Sequence, residues 1–244
     1  MNILNIEHVS KIYGDKTIFD DVSFGIQQGD KIGIIGINGT GKTTFLKILA
    51  GIEEPDEGQV IRQNGLRISF LPQHPVFPEG ATVLSYVAGE KKGEDWIPET
   101  EAKMVLNKLG IQNHEEEISH LSGGQKKRAA LAAVLVNPAD ILILDEPTNH
   151  LDNKMAEWLE DYLNRFKGTV IMVTHDRYFL DRVTNKILEI SHGKVYGYEA
   201  KYSRFLEMKA EREEMELASE RKRQSILRIE QEWAKRGCRA RSTK

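Results

Sequence analysis

Cysteine is nearly absent from this sequence. Cys238 stands alone among 244 residues, so no internal disulfide can form and nothing points to an oxidising compartment. Long hydrophobic runs are absent too. The longest, residues 129–136, falls far short of the roughly 20 apolar residues that a membrane helix requires. The first ten residues have neither the basic start nor the apolar stretch of a secretory signal. These absences predict a soluble, cytoplasmic protein that another chain would have to bring to any membrane. Internal repeats and low-complexity tracts are also missing, which argues against a repeat array or a disordered chain.

What is present is an ordinary globular composition, 40% hydrophobic and 29% charged. The length suffices for one large domain or two small ones. The net charge of −3 hides an asymmetry. Residues 199–244 hold 13 Lys/Arg against 9 Asp/Glu, a net of +4, which leaves −7 for the preceding residues. An acidic body with a basic tail predicts an anionic partner for the tail.

Apolar patterning predicts strands at 4–9, 17–26, 31–35, 60–62 and 66–71, with turns at Gly14-Asp15 and Glu57-Gly58. A helix is predicted at 42–50, stopped by Gly51. Helices at 83–88, 101–109 and 125–135, punctuated by Gly89, Gly93, Pro98 and Gly110, form a helical insertion. Buried strands return at 141–144 and 170–173, with helices at 154–166 and 177–183. A closing hairpin follows at 187–190 and 195–198, turning at His192-Gly193. The alternation predicts an α/β fold whose mainly parallel sheet is covered on both faces. From Tyr202 to about Trp233 the pattern is one long charged helix. Its apolar residues, from Phe205 and Met208 to Ile226, Ile229 and Trp233, recur at three- and four-residue steps, with Lys222 interrupting the stripe.

Gly36, Ile37, Asn38, Gly39, Thr40, Gly41, Lys42 and Thr43 fit the pattern G-x-x-x-x-G-K-[ST]. They lie between a buried strand and a helix, the context a phosphate loop requires. Glycines let successive backbone N–H groups face phosphate oxygens, and the helix start adds its positive dipole end. Lys42 is expected on the β- and γ-phosphates and the Thr43 hydroxyl on Mg²⁺. Asp145 and Glu146 close the buried strand at 141–144. Asp145 is expected to hold Mg²⁺ and Glu146 to serve as general base or water-orienting group. The plainer alternatives are a glycine-rich turn with a stray lysine and a solvated acidic turn before Pro147.

Leu121-Ser122-Gly123-Gly124-Gln125 opens a helix. Alone it reads as a simple cap. Between a phosphate loop and Asp145-Glu146 it closely resembles the signature of ATP-binding cassette proteins. Further motifs match in order: Tyr13 the adenine-stacking aromatic, Gln73 the Q-loop, Leu151-Asp152 the D-loop, and His175 the switch histidine. Taken singly, these remain a turn aromatic, a strand-end cap and a strand-end histidine. The resemblance covers about residues 3–198. It implies a P-loop ATPase cassette at 1–198 with an antiparallel β subdomain and a helical signature subdomain. It further implies the first linker helix and a basic linker tip at 199–244.

The same resemblance implies that Thr44 joins the ATP-binding set and that Gln73 joins Thr43 and Asp145 at Mg²⁺. It also implies head-to-tail pairing, so that Ser122, Gly123, Gly124 and Gln125 act on a second cassette's ATP. Asn149-His150-Leu151-Asp152 and His175-Asp176-Arg177-Tyr178-Phe179-Leu180-Asp181 look like the ABC-F branch. Those proteins act on ribosomes through a linker that approaches P-site tRNA. Trp233, Lys235, Arg236, Arg239 and Arg241 resemble the linker tip and are the expected RNA contacts. A solvated helix end, with Trp233 packed on a neighbour, is the alternative. Residues 89–98 leave room for only a remnant of the extra arm, as in Uup-like members. The stop at Lys244 reads as truncation before a second cassette. A membrane transporter's energy subunit is the alternative function, and a DNA-maintenance ATPase is excluded by the short spacing from Gly36 to Ser122.

Overall fold

The computed structural model describes residues 2–89 and 99–237, with side chains to residue 234. The expected positions 90–98 lie outside the described residues, as do Cys238, Arg239, Arg241 and the side chains of Lys235 and Arg236. The chain divides into two compact units, residues 1–202 and 203–244.

In the first unit, β1 (Asn2–Tyr13), β2 (Lys16–Gln27) and β4 (Glu57–Arg62) form an antiparallel sheet of order β2-β1-β4. A second sheet holds β3 (Lys31–Ile35), β5 (Ile68–Leu71), β6 (Ile141–Asp145), β7 (Thr169–Val173), β8 (Lys186–Ser191) and β9 (Lys194–Tyr198). Its order is β5-β6-β7-β3-β8-β9, parallel except for the β8–β9 hairpin. The helices are α1 (Lys42–Ala50), α2 (Val83–Ala88), α3 (Glu99–Lys108), α4 (Gly123–Val136), α5 (Asn153–Arg165) and α6 (Arg177–Val183). The second unit carries α7 (Tyr202–Gly237), a helix of 36 residues.

The central strands show why a continuous apolar run makes a buried parallel strand. In β6, Leu142 and Leu144 join a core with α2, α3, α4 and α5, while Ile141 and Ile143 join one with α1 and the antiparallel sheet. In β7, Val170 and Met172 face the first core and Ile171 and Val173 the second. Alternate side chains thus bury on opposite faces, as the period-two geometry of a strand dictates. All five β6 residues and all five β7 residues are buried. Fully burying each Ile or Leu contributes about 1.5–3 kcal/mol.

The turn expected at Glu57-Gly58 is instead the start of β4. Its partner β1 shifts register between Glu7 and Ser10, and His8 there has a φ of 52°. Gly58 lies opposite this bulge with a φ of 77°. A Cβ at Gly58 would stand 2.2 Å from the His8 carbonyl oxygen and 2.4 Å from that of Glu7. The glycine therefore lets two backbones approach, where the sequence pattern suggests a chain reversal.

In α7, Lys209–Glu213 and Arg212–Glu216 pairs at 3.6 Å follow the i,i+4 spacing. Such pairs contribute only a few tenths of a kcal/mol each. Met215, Ile226, Ile229 and Trp233 are exposed.

Gly58→Ala should lower the unfolding free energy by more than about 2 kcal/mol, because strain and a backbone clash add. Gly80 has a φ of 70° but nothing within 4 Å of an added Cβ, so Gly80→Ala should cost only about 1 kcal/mol. Urea denaturation of the two variants side by side measures the difference.

Candidate functional site

Parallel strands deliver their following loops to one sheet edge, the usual place for ligands in open α/β folds. Here β5 leads to Gln73, β6 to Asp145 and Glu146, β7 to His175, and β3 to Gly36 and the loop that enters α1. Residues more than a hundred positions apart in sequence therefore share one edge.

The loop after β3 turns through Gly39 and Gly41, with φ of 80° and 92°. Gly41 is the N-cap of α1 and offers no side-chain cap. A Cβ there would lie 2.2 Å from Ile18 Cγ2, so the close approach of β2 demands glycine. The Thr40 hydroxyl donates to the Ile37 carbonyl at 2.9 Å. Lys42 Nζ donates to the Gly36 and Ile37 carbonyls at 2.8 and 3.1 Å. Its ammonium is folded over the loop, and burial lowers its pKa against the opposing pull of Glu146 and Asp145. Lys16 Nζ donates to the Gly39 carbonyl at 2.9 Å.

Thr43, on the first turn of α1, donates its hydroxyl to Asp145 Oδ2 at 2.8 Å. Burial raises the Asp145 pKa, and the Thr43 bond and the Lys127, Lys42 and Lys47 charges draw it back. Glu146 is next along the chain and only 5% exposed. Its φ is 53°, a left-handed conformation that costs a non-glycine residue about 1 kcal/mol or more. The Glu146 amide donates to the Val173 carbonyl at 2.8 Å, which fastens it to β7. Glu146 Oε1 lies 3.4 Å from His175 Nε2, whereas Oε2 is buried with no hydrogen-bond partner. Burial raises the Glu146 pKa and His175 opposes it. A strained, buried carboxylate whose pKa is raised by burial is suited to accept a proton.

Tyr13 ends β1. Its hydroxyl donates to Glu53, and Lys11 Nζ is 5.5 Å from the ring centroid. The Gln73 side chain is exposed. It is the Gln73 carbonyl that the structure engages, through Lys127 Nζ at 3.1 Å.

At the signature, Ser122 and Gln125 form a capping box. The Gln125 amide donates to Ser122 Oγ at 3.3 Å, and the Ser122 amide and hydroxyl donate to Gln125 Oε1 at 2.9 and 2.7 Å. Gly123 and Gly124 form the first turn of α4 beside this box. An added Cβ at Gly124 would meet His150 Cβ at 3.3 Å, so the signature turn and Asn149-His150 are neighbours. Asp152 caps α5, accepting from the Met155 amide at 2.9 Å. Trp233 is exposed on α7.

Sequence reasoning missed Lys127. It is 7% exposed and reaches the Asp145 carbonyl at 3.2 Å as well as that of Gln73. Its one signal was a lysine two positions before the apolar run at 129–136, in the helix whose alanines are buried.

Comparison with known proteins agrees with this geometry. A family profile described as "ABC transporter" matches residues 19–149, and a second with the same description matches 188–244. An uncharacterized ABC transporter ATP-binding protein of Bacillus subtilis, YfmR, is 45% identical over 100% of this chain and 45% of its own length. The energy-dependent translational throttle protein EttA of Mycobacterium tuberculosis is 34% identical over 99% of the chain and 50% of itself. The ATP-binding protein Uup of Buchnera aphidicola is 34% identical over 100% of the chain and 42% of itself. The chain thus spans about half the length of the curated relatives it matches. Among solved structures, a dimeric ATP-binding cassette, MJ0796, bound to ADP and Pi is 27% identical with a TM-score of 0.69, covering 81% of this chain and 99% of that one. The chain belongs to the ATP-binding cassette family and is one ATP-binding cassette whose relatives EttA and Uup are of the ABC-F branch.

Proposed function

We propose that this cassette binds ATP with Mg²⁺, hydrolyses it when paired with a second cassette, and serves a translation factor acting on the ribosome. The observation that carries the catalytic part is Glu146. A buried, strained carboxylate with one oxygen beside His175 and the other without a hydrogen-bond partner is costly for the fold. Such a cost is expected at a working site.

Backbone amides of Gly39 to Lys42 and the uncapped start of α1 receive the β- and γ-phosphates, with Lys42 swinging from its carbonyls onto them. Ile37, Asn38, Thr40 and Thr44 complete the cradle, and Tyr13 meets the adenine. Thr43 and Asp145 converge at 2.8 Å and are oxygen donors that suit Mg²⁺, with Gln73 as a further ligand. No cluster of three or more His, Cys, Asp or Glu occurs among the described residues. That fits an ion held by one carboxylate and the substrate's own phosphates rather than by a protein cage. When bound, the ion would neutralise charge on the β- and γ-phosphate oxygens. The Glu146 carboxylate takes the proton of the attacking water, and His175 orients the carboxylate and faces the γ-phosphate. Ser122, Gly123, Gly124 and Gln125 complete the site of a second cassette, which supplies the same residues in return. The dimeric state of the similar cassette MJ0796 supports this pairing.

The ribosomal part rests on the similarity to EttA, on Asn149 to Asp152 and His175 to Asp181, and on the basic residues after Trp233. Trp233, Lys235, Arg236, Arg239 and Arg241 are the proposed RNA contacts. No helix among the described residues is long and apolar enough to cross a membrane.

Glu146→Gln should leave ATP binding intact and slow hydrolysis by roughly 10²- to 10⁴-fold. The same change should stabilise the fold. Burial raises the Glu146 pKa above its ordinary 4.5, so the stability this group contributes when protonated is lost as pH rises through the folded-state pKa. Gln stays neutral, so the variant's melting temperature should exceed that of the unmodified chain at pH 7–8. The gain should vanish below about pH 4.5. Calorimetry across that range tests the sign.

Turnover by the chain alone should be slow and should rise more than linearly with protein concentration, because each site needs a second cassette. Fast turnover from a sample shown to be monomeric would contradict the shared site. Cosedimentation with ribosomes should require ATP and should be strongest for Glu146→Gln in a chain carrying two cassettes. Equal recovery with and without nucleotide would count against the ribosomal role.

A further inference from the structure

A lysine ammonium buried in an apolar core is costly unless its donors are satisfied. Lys127 stands one residue ahead of the run that begins at Ala129, Ala130 and Leu131, all within the core. An apolar side chain of the same volume would pack there without that cost. Instead, Lys127 reaches two main-chain oxygens from two different strands: the Gln73 carbonyl after β5 and the Asp145 carbonyl at the end of β6. The next residue makes a third link. Arg128 Nη1 donates to the His150 carbonyl at 3.1 Å, and the His150 ring packs on the Gly124 turn. The second turn of α4 therefore grips the segment after β5 and both ends of the segment that leaves β6, while its first turn is the signature.

Resting on the catalytic reading above, we propose that Lys127 is a positioning residue that couples the signature helix to the chain's own hydrolytic centre. Through its bonds to the Gln73 and Asp145 carbonyls, a displacement of the signature end by a partner's nucleotide moves the backbone that carries Gln73, Asp145 and Glu146. Engagement in the partner's site thereby sets the geometry of this one. Both bonds are made to main chain, so Lys127 acts on the placement of these residues and touches neither substrate nor the reacting atoms.

Lys127→Met keeps the aliphatic stem and removes the three donors, and Lys127→Gln keeps a donor on a shorter stem. Nucleotide binding, steady-state turnover and thermal melting are measured for both, under conditions where the unmodified chain turns over. Lys127→Met should bind a fluorescent ATP analogue within about twofold of normal and lose roughly 10- to 100-fold in kcat. Its melting temperature should be unchanged or higher, and Lys127→Gln should recover part of the rate. Unchanged kcat in Lys127→Met overturns the proposal. So does a collapse of the melt in both variants, which marks a packing strut, or a parallel loss of binding and rate. Glu146→Gln measured alongside separates the two readings. If it retains turnover, the catalytic assignment itself fails. If it is inactive while Lys127→Met is normal, only the coupling fails.

Discussion

Two adjacent buried acids, Asp145 and Glu146, are the constraint around which this cassette is arranged. Taking carboxylates out of water is unfavourable unless charges and donors surround them. Each neighbouring element supplies something: Thr43 and Lys42 from the start of α1, Lys127 from α4, and His175 from the end of β7. The compensation is incomplete. Glu146 retains an unpartnered oxygen and a left-handed backbone. The strand order β5-β6-β7-β3 makes even this possible, because it brings four loop starts to one edge.

Two helix starts, those of α4 and α1, are treated differently. At α4, Ser122 and Gln125 satisfy one another and the first amides through a capping box. At α1, Gly41 provides no side-chain acceptor, and its φ of 92° suits only glycine. Four amides at a helix start require acceptors. A start closed by its own side chains is a preformed end, whereas one left without a side-chain cap keeps amides available to an external acceptor. The two starts that the shared-site reading assigns to different nucleotides thus differ in their chemistry as well.

Much of the fold could be read from the sequence because its signals are local. The runs at 31–35, 141–144 and 170–173 were legible as buried strands, and 42–50 and 177–183 as helices, since period and punctuation act over a few residues. Glu57-Gly58 was misread because a glycine that permits a bulge and one that permits a turn look the same until the partner strand is known. The division of strands into two sheets was equally illegible from patterning. Residues of β1, β2 and β4 alternate much as edge strands of a single sheet would, and only the resemblance to known cassettes implied a separate antiparallel sheet.

By itself, the sequence determined the phosphate loop, the acids that close β6 and the order of the cassette motifs, because these are contiguous residues whose chemistry follows from type and spacing. Only the tertiary structure decided how they meet. It set Thr43 against Asp145, strained Glu146 beside His175, and placed His150 on the signature turn. It also made Lys127, which sequence reasoning passed over, a buried tie between the Gln73 and Asp145 carbonyls. The reason is physical: a residue's burial and partners depend on what other elements bring to it, and no local pattern records that.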